Sequence, residues 1–379
     1  MTSVVARASV LESLDTPTTP RLLLSTRLIA RRFHELSAAL RDVTLFYAVK
    51  ANPHPAVLAT LALEGAGFDV ASPAETDAAL GTGVAPRRLL SSNPMQARAA
   101  VGHHHSAGVD TFVVDSMDEA RKVADEAPGA ALMARLATTG EGSDWSLADK
   151  FGADPREVFG ILDAAPRLGL RPAGVAFHVG SQQREPQRWI APIDDAAGIF
   201  AALERNGHRP WLLDIGGGFP AAHATPCPPL SDYGRVIQAA TRRAFGARRP
   251  TLIAEPGRAL VGDAGVLEAA VLGVARRAGR RWVYLDAGVF SGLVETLGEA
   301  IRYRIWTSAA GTPAPAVLAG PTCDSADVMY SHVELPDDLA EGDRVWFAAA
   351  GVYTTAYAST FNGFAPLPTV LTDCLPCAG

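Results

Sequence analysis

Eight short apolar segments, separated by amphipathic stretches between about Leu45 and Arg258, limit the folds open to this chain more than any other feature. They read TLFYAVK, GFDVAS, RLLSSNP, DTFVVDS, ALMARLA, AGVAFHVG, WLLDIGGG and TLIAEPG, each with the character of a strand. Helical patterns lie between them, among them PAVLATLALEGA, AETDAALGTG, MDEARKVADEA, DPREVFGILDAA and LSDYGRVIQAATRRAF. Asp or Ser stands near several helix starts and Gly near several ends. Regular alternation of this kind predicts a (βα)8 TIM barrel.

Past Arg258 the pattern changes. RWVYLDAGVF, APAVLAGP and DRVWFAAAG are β-rich runs spaced by turns without regular crossover helices, which predicts a second, mainly β domain. The apolar RLLL segment after PTTP is assigned to that domain as well. The expected division is 26–259 for the barrel, with 1–25 and 260–379 forming the β domain. A chain of 379 residues with 48% hydrophobic content is long enough for both.

Charge and composition narrow the function classes. A formal net charge of −6 leaves no broad basic surface, so neither nucleic acid nor an acidic membrane is expected as partner, and a small substrate is. No run of eighteen apolar residues occurs, and the N-terminal MTSVVARASVLESLD has too short an apolar stretch for a signal peptide, so a cytoplasmic location is expected. Four cysteines, Cys227, Cys323, Cys374 and Cys377, are too few for a disulfide framework, and reduced thiols are expected. The terminal CxxC of Cys374 and Cys377 has no recognisable further ligands nearby and reads as a frayed tail. The run His103, His104, His105 reads as a solvated helix end; no metal is expected.

Residues with chemistry to offer fall where a barrel places its active site, at the C-terminal ends of the strands. Lys50 ends the first predicted strand, Asp69 lies in the second and Arg135 in the fifth. His178 ends the sixth, Gly216, Gly217 and Gly218 the seventh, and Glu255 the eighth. A lysine so placed can form a Schiff base with an aldehyde cofactor. Three consecutive glycines let backbone amides approach a phosphate, and Arg258 adds a fork of charged donors. Glu255 suits a protonated pyridine nitrogen, and His178 can stack on a ring face. Together these needs are those of pyridoxal 5'-phosphate.

The segments YAVKAN, FDVAS, FHVGSQ, LDIGGGFP, AEPGR, GPTCDSAD and GVYTTAYASTFNGF resemble the alanine-racemase-like (fold-type III) pyridoxal-phosphate decarboxylases, and within them the ornithine decarboxylase branch. The likeness runs from about Pro20 to Phe364. It implies that Lys50 carries the cofactor, His178 stacks on its ring and Glu255 binds the pyridine nitrogen. Ser181, Gly217, Gly218, Arg258 and Tyr353 would hold the phosphate, with Asp69, Arg135 and Gly257 completing the cofactor set. The family builds its site across a head-to-tail homodimer, and Cys323 and Asp324 match the residues supplied by the neighbouring chain. Cys323 would protonate the carbon that has lost carbon dioxide, and Asp324 would pair with the distal ammonium of a small basic amino acid.

At the substrate end the chain departs from the branch. Gly298 and Glu299 stand where ornithine decarboxylases carry Tyr-Asp, and Tyr357 replaces a small residue; with Phe361, these are the expected substrate-pocket residues. If Glu299 points inward it would leave less room than Asp, favouring L-ornithine or the shorter 2,4-diaminobutyrate over lysine. Diaminopimelate, which needs an arginine for its second carboxylate, is disfavoured. Arginine is set aside on length, since arginine decarboxylases of this fold are expected to be much longer chains. A decarboxylase or racemase of a modified amino acid, or a non-catalytic regulator that binds the cofactor, remain as alternatives.

Overall fold

The computed structural model describes residues 18–376; Cys377, and with it the terminal CxxC pair, lies outside them. Two units are distinguished. One comprises Ala30–Pro220 and Cys227–Ala259, and the other the residues up to Ile29, Ala221–Pro226 and the chain from Leu260 onward.

In chain order the elements begin with β1 (Arg21–Leu24), α1 (Thr26–Ala39), β2 (Val43–Ala48), α2 (Pro55–Leu63), β3 (Gly67–Asp69), α3 (Pro73–Leu80), β4 (Leu89–Leu90), α4 (Arg98–Ser106), β5 (Thr111–Val114) and α5 (Met117–Glu126). There follow β6 (Ala131–Leu136), β7 (Ser143–Trp145), α6 (Pro155–Ala164), β8 (Arg171–Phe177), β9 (Ser181–Gln183), α7 (Ile190–Arg205), β10 (Leu212–Asp214), α8 (Leu230–Phe245) and β11 (Thr251–Ala254). The eight predicted strands are β2, β3, β4, β5, β6, β8, β10 and β11. They pair in parallel in the order β4-β3-β2-β11-β10-β8-β6-β5. Ser91, just past β4, donates its N–H to Thr111 O at 3.0 Å and accepts from Val113 N–H at 2.9 Å, joining the two ends of the sheet. A sheet closed this way has no exposed edge.

Local chemistry explains where several helices begin. Ser72, Ser116 and Asp154 each precede a helix and each is followed three residues later by a glutamate: Glu75, Glu119 and Glu157. In α3, α5 and α6 the cap side chain accepts the N–H of that glutamate, and at Asp154 the reciprocal bond completes a capping box. Such caps satisfy backbone donors that the first helical turn leaves unpaired, each contributing about 1 kcal/mol.

The other unit is a mainly β sheet. Its strands β12 (Gly265–Arg277), β13 (Arg280–Leu285), β14 (Ile305–Thr307), β15 (Pro313–Ala319), β16 (Val328–Pro336) and β17 (Arg344–Ala348) pair in the order β14-β17-β12-β13-β15-β16. β1 adds to β12 antiparallel and to β18 (Thr369–Leu371) in parallel. All four residues of β1 are buried, and Arg21 Nε donates to Glu268 Oε2 at 2.6 Å across the β1–β12 pair. Leu22, Leu267, Val283, Leu318 and Phe347 lie in its core.

The histidine run requires a correction. His103, on the last turn of α4, meets Asp77 at 2.8 Å, but its neighbour His104 is fully buried with Nδ1 2.7 Å from Thr76 Oγ1. The reason is helical geometry: 100° per residue turns adjacent histidines to different faces, and position 104 falls on the face packed against α3. Burial, with His103 beside it, pushes the His104 imidazole down to about 4.

His104 thus folds as a neutral ring whose proton affinity is higher in the unfolded chain, at the ordinary value of 6.5. Its contribution to stability is complete above that value and is lost progressively as pH falls from 6.5 toward 4, amounting to about 3 kcal/mol at full titration. Urea unfolding at pH 7.5 and pH 5 is expected to show this loss, and His104→Asn to flatten it. An unchanged acid limb in the variant would assign the pH dependence to other groups.

Candidate active site

The barrel gathers its polar side chains at the C-terminal ends of its strands. Lys50 sits in the 3-10 turn Val49–Ala51 directly after β2, and its Nζ lies 3.4 Å from Asp69 Oδ2 at the end of β3. Ala48 and Asp69 are partners in the parallel ladder, which sets that proximity. The Lys50 side chain is half exposed while that of Asp69 is buried. Ser92 supports the pair, donating its hydroxyl to Asp69 Oδ1 at 2.5 Å and its N–H to the same oxygen at 3.3 Å. One Asp69 oxygen is thereby held by Ser92, and the other is directed at the amine.

Glu255 follows β11, and its N–H donates to Gly216 O at 2.9 Å. Burial is the main cause that raises its carboxyl to about 7, with Asp69 adding to the rise; Lys50, Ser92 and Asp214 oppose it. His178, just past β8, accepts the N–H of Gly180 on Nδ1 at 3.1 Å, so a neutral ring carries its proton on Nε2. Burial, then the charges of Arg135 and Lys50, hold it well below the usual imidazole value. Arg135, in β6, has Glu255, Asp115, Asp214 and Asp69 as its charged neighbours. A neutral ring placed among cations is suited to stack on an aromatic cofactor rather than to act as an acid.

A second group forms an anion cradle. Arg258 is buried and donates from Nε and Nη2 to Ser181 Oγ at 3.2 and 3.1 Å. Ser181 lies on β9, whose pairing with β7 and whose buried Gln182 and Gln183 fix its direction. Gly216 and Gly218 adopt φ of 67° and 99°, conformations that L side chains rarely reach. A Cβ on Gly217 would stand 2.7 Å from Glu255 O and 2.9 Å from His178 Nε2. Gly257, also buried, joins Glu255 to Arg258.

These donor sets fit pyridoxal phosphate. Buried Glu255 Oε1 has no hydrogen-bonding donor among the described residues, as suits a carboxylate meant for a protonated nitrogen, while the buried guanidinium, Ser181 hydroxyl and glycine backbone suit a phosphate. Lys50 supplies the amine, beside Asp69.

The β unit carries the other expected site residues. Cys323 and Asp324 are exposed on the loop between β15 and β16. Cys323 N–H donates to Asn362 Oδ1 at 3.1 Å, and Asp324 Oδ1 accepts from Ala326 N–H at 2.8 Å. Phe361 packs on Phe290 with centroids 4.8 Å apart, and Tyr353, at φ 51°, lies 5.9 Å from Tyr357. Glu299 is engaged elsewhere in the same unit: its Oε1 accepts Ser331 N–H at 2.8 Å and Ser331 Oγ at 2.5 Å, and its Oε2 accepts from Arg302 at 2.8 Å.

Sequence reasoning passed over four supporting residues. Ser92 and Asp214 lie inside quoted strands without a role, and Glu75 looks like a helix residue although its Oε2 accepts the N–H of Ala71 at 2.7 Å beside Asp69. Asp327 closes the GPTCDSAD loop, accepting Val289 N–H on Oδ1 at 2.8 Å and Thr322 N–H on Oδ2 at 2.9 Å. Its spacing from Asp324 was visible in the sequence; its burial was not.

Gly217→Ala is expected to weaken pyridoxal phosphate binding at least tenfold, about 1.4 kcal/mol or more, because the new methyl group meets a backbone carbonyl and the imidazole that frames the ring. Absorbance titration of the cofactor-free protein measures this. Wild-type affinity in the variant would exclude Gly217 from the cradle.

Residues 26–262 match the model of the pyridoxal-dependent decarboxylase, pyridoxal binding domain. The chain is 31% identical over 359 residues to the lysine/ornithine decarboxylase of Selenomonas ruminantium, covering 94% of this chain and 91% of that one. Among solved structures, the lysine/ornithine decarboxylase from Vibrio vulnificus complexed with putrescine superposes with a TM-score of 0.87 at 32% identity, covering 98% and 99% of the two chains. The arginine decarboxylase of Paramecium bursaria Chlorella virus, bound to agmatine, reaches 0.89 at 28% identity and is covered over its whole length by 96% of this chain. That match corrects the argument from size: an arginine decarboxylase of this fold need not be longer, so length does not exclude arginine. The matched barrel and the full-length relatives establish that the chain belongs to the pyridoxal-dependent decarboxylases and is an amino acid carboxy-lyase that uses pyridoxal 5'-phosphate.

Proposed function

We propose that this enzyme decarboxylates a basic L-amino acid, with L-ornithine to putrescine as the first choice, in a homodimer whose sites combine both chains. The observation that carries the substrate class is Asp324, an exposed carboxylate beside an exposed thiol on a loop anchored by Asp327. An acceptor-only carboxylate pairs with a distal ammonium and repels a distal carboxylate. The relatives complexed with putrescine, cadaverine and agmatine support the same class.

Pyridoxal phosphate, when bound, supplies the electron sink for the pair left on the α-carbon as carbon dioxide departs. The chain's residues supply the rest. Lys50 would hold the cofactor and Asp69 would orient its amine. Arg258, Ser181, Gly217, Gly218 and Tyr353 would bind the phosphate, His178 would cover one ring face, and Glu255 would face the pyridine nitrogen. Cys323 would deliver its thiol proton to the α-carbon. Tyr357, Phe361 and Phe364 are 49%, 43% and 42% exposed around that loop, an apolar surface suited to burial against a second copy.

For substrate length, Glu299 enters the proposal as a fixed wall rather than a free counter-ion, since Ser331 and Arg302 hold both its oxygens. One methylene in such a pocket changes selectivity by about 1–3 kcal/mol, so lysine is expected to react slowly but detectably. Carbon dioxide release from ornithine, lysine, 2,4-diaminobutyrate, arginine and diaminopimelate tests the class, and Glu299→Asp is expected to shift selectivity toward lysine. Diaminopimelate as best substrate would overturn the class; an unchanged ornithine-to-lysine ratio would remove Glu299 from the pocket.

Mixing Lys50→Ala with Cys323→Ala subunits is expected to restore partial activity, because a mixed dimer would hold one site with both residues intact. If subunits exchange and activity stays absent, each chain completes its own site.

A further inference from the structure

At the ends of β10 and β11 two carboxyl groups lie where only one negative charge is readily accommodated. Asp214 pairs with Ile253 in the parallel ladder, so Glu255, two residues on, projects to the same side. The backbone clamps them together: Glu255 N–H donates to Gly216 O at 2.9 Å, and Gly216 N–H donates to Asp214 Oδ1 at 2.8 Å. The two side chains come close enough to share a hydrogen bond, which two carboxyl groups can make only with a proton between them. Asp214 Oδ2 and Glu255 Oε1 are both buried, and among the described residues neither meets a hydrogen-bond donor.

We propose that Asp214 is a protonated carboxylic acid in the working enzyme, donating its O–H to the Glu255 carboxylate and leaving the single negative charge of the pair on Glu255. The inference deepens the reading that Glu255 faces the pyridine nitrogen and rests on it. Surroundings decide which partner keeps the proton. Asp214 is wholly buried, and its neighbouring charges are the carboxylates Glu255 and Asp69, with the Arg135 cation beyond. Glu255 faces Lys50 and the Ser92 hydroxyl as well as Asp69, and it stands first among the acidic neighbours of Arg135. The charge is therefore better stabilised on Glu255. Burial raises both carboxyls, in line with a pair that cannot lose both protons near neutrality.

Asp214 acts through Glu255 and is a positioning residue. Its O–H holds the glutamate ionised and aimed, so that Glu255 keeps a protonated pyridine nitrogen in place; without that donor, Glu255 would itself take up the proton.

Infrared spectroscopy of the holoenzyme at pH 7.5 tests this directly. A protonated-carboxyl carbonyl band is expected that shifts when aspartate carries heavy carbon in its side-chain carboxyl, stays put when glutamate does, and is absent from Asp214→Asn. The asparagine amide can replace the acid O–H toward Glu255 and still accept from Gly216, so cofactor affinity in Asp214→Asn is expected within about threefold of wild type. Asp214→Leu, which has no donor, is expected to lose roughly tenfold or more. A band that shifts with glutamate labelling instead, no aspartate-sensitive band, or an Asp214→Asn variant as weak as Asp214→Leu would overturn the proposal. The labelling needs no variant to fold. Unchanged cofactor affinity in Glu255→Gln would sink the pyridine-partner reading separately, without altering the infrared result.

Discussion

The register of the parallel strands is the constraint on which the site depends. Side chains alternate sides along a strand, so a slip of one residue would turn a catalytic group from the barrel mouth into its wall. Ala48 opposite Asp69 brings Lys50 to its carboxylate; Asp214 opposite Ile253 brings Glu255 alongside. Ser91, bridging to β5, closes the sheet and leaves Ser92 with its hydroxyl on Asp69. None of these pairings is local in sequence, yet each sets a distance at the mouth.

Closing the barrel also buries charge, and the structure compensates group by group. Asp69 is held by Ser92 and faces Lys50; Arg135 has four acidic side chains around it; Glu255 and Asp214 lie side by side. An isolated buried charge is costly, whereas charges sharing donors and opposite partners persist in a dry site and act more strongly there. His178 is the counterexample: buried, with two cations near, it stays neutral. A ring in that state can cover a cofactor face without competing for protons.

The β unit solves a different problem, holding an exposed loop in one shape. Asp327 does this with its two backbone bonds and with close neighbours at Gly288 and Gly320, where any side chain would collide with its carboxylate. Gly320 N–H donates to Asp327 O and Asp327 N–H to Asp324 O, so the loop is tied at both ends. Cys323 and Asp324 consequently stand outward on a firm base. A thiol and a carboxylate presented in this way gain reach without the entropy of a free loop.

Sequence alone determined the barrel, the mainly β addition and the positions from Lys50 to Arg258, because strand period, helix caps and glycine turns are local signals and all of them fall in one order. It also showed the GPTCDSAD and STFNGF segments that mark the family. Tertiary structure decided the rest. Whether His104 is solvated depends on the helix facing it; whether Glu299 is available depends on Ser331 and Arg302; and whether Asp214 carries a proton depends on a carboxylate forty-one residues away on the next strand. Protonation and hydrogen bonding are set by neighbours in space, and a linear pattern carries no record of which side chains folding will bring to within 3 Å.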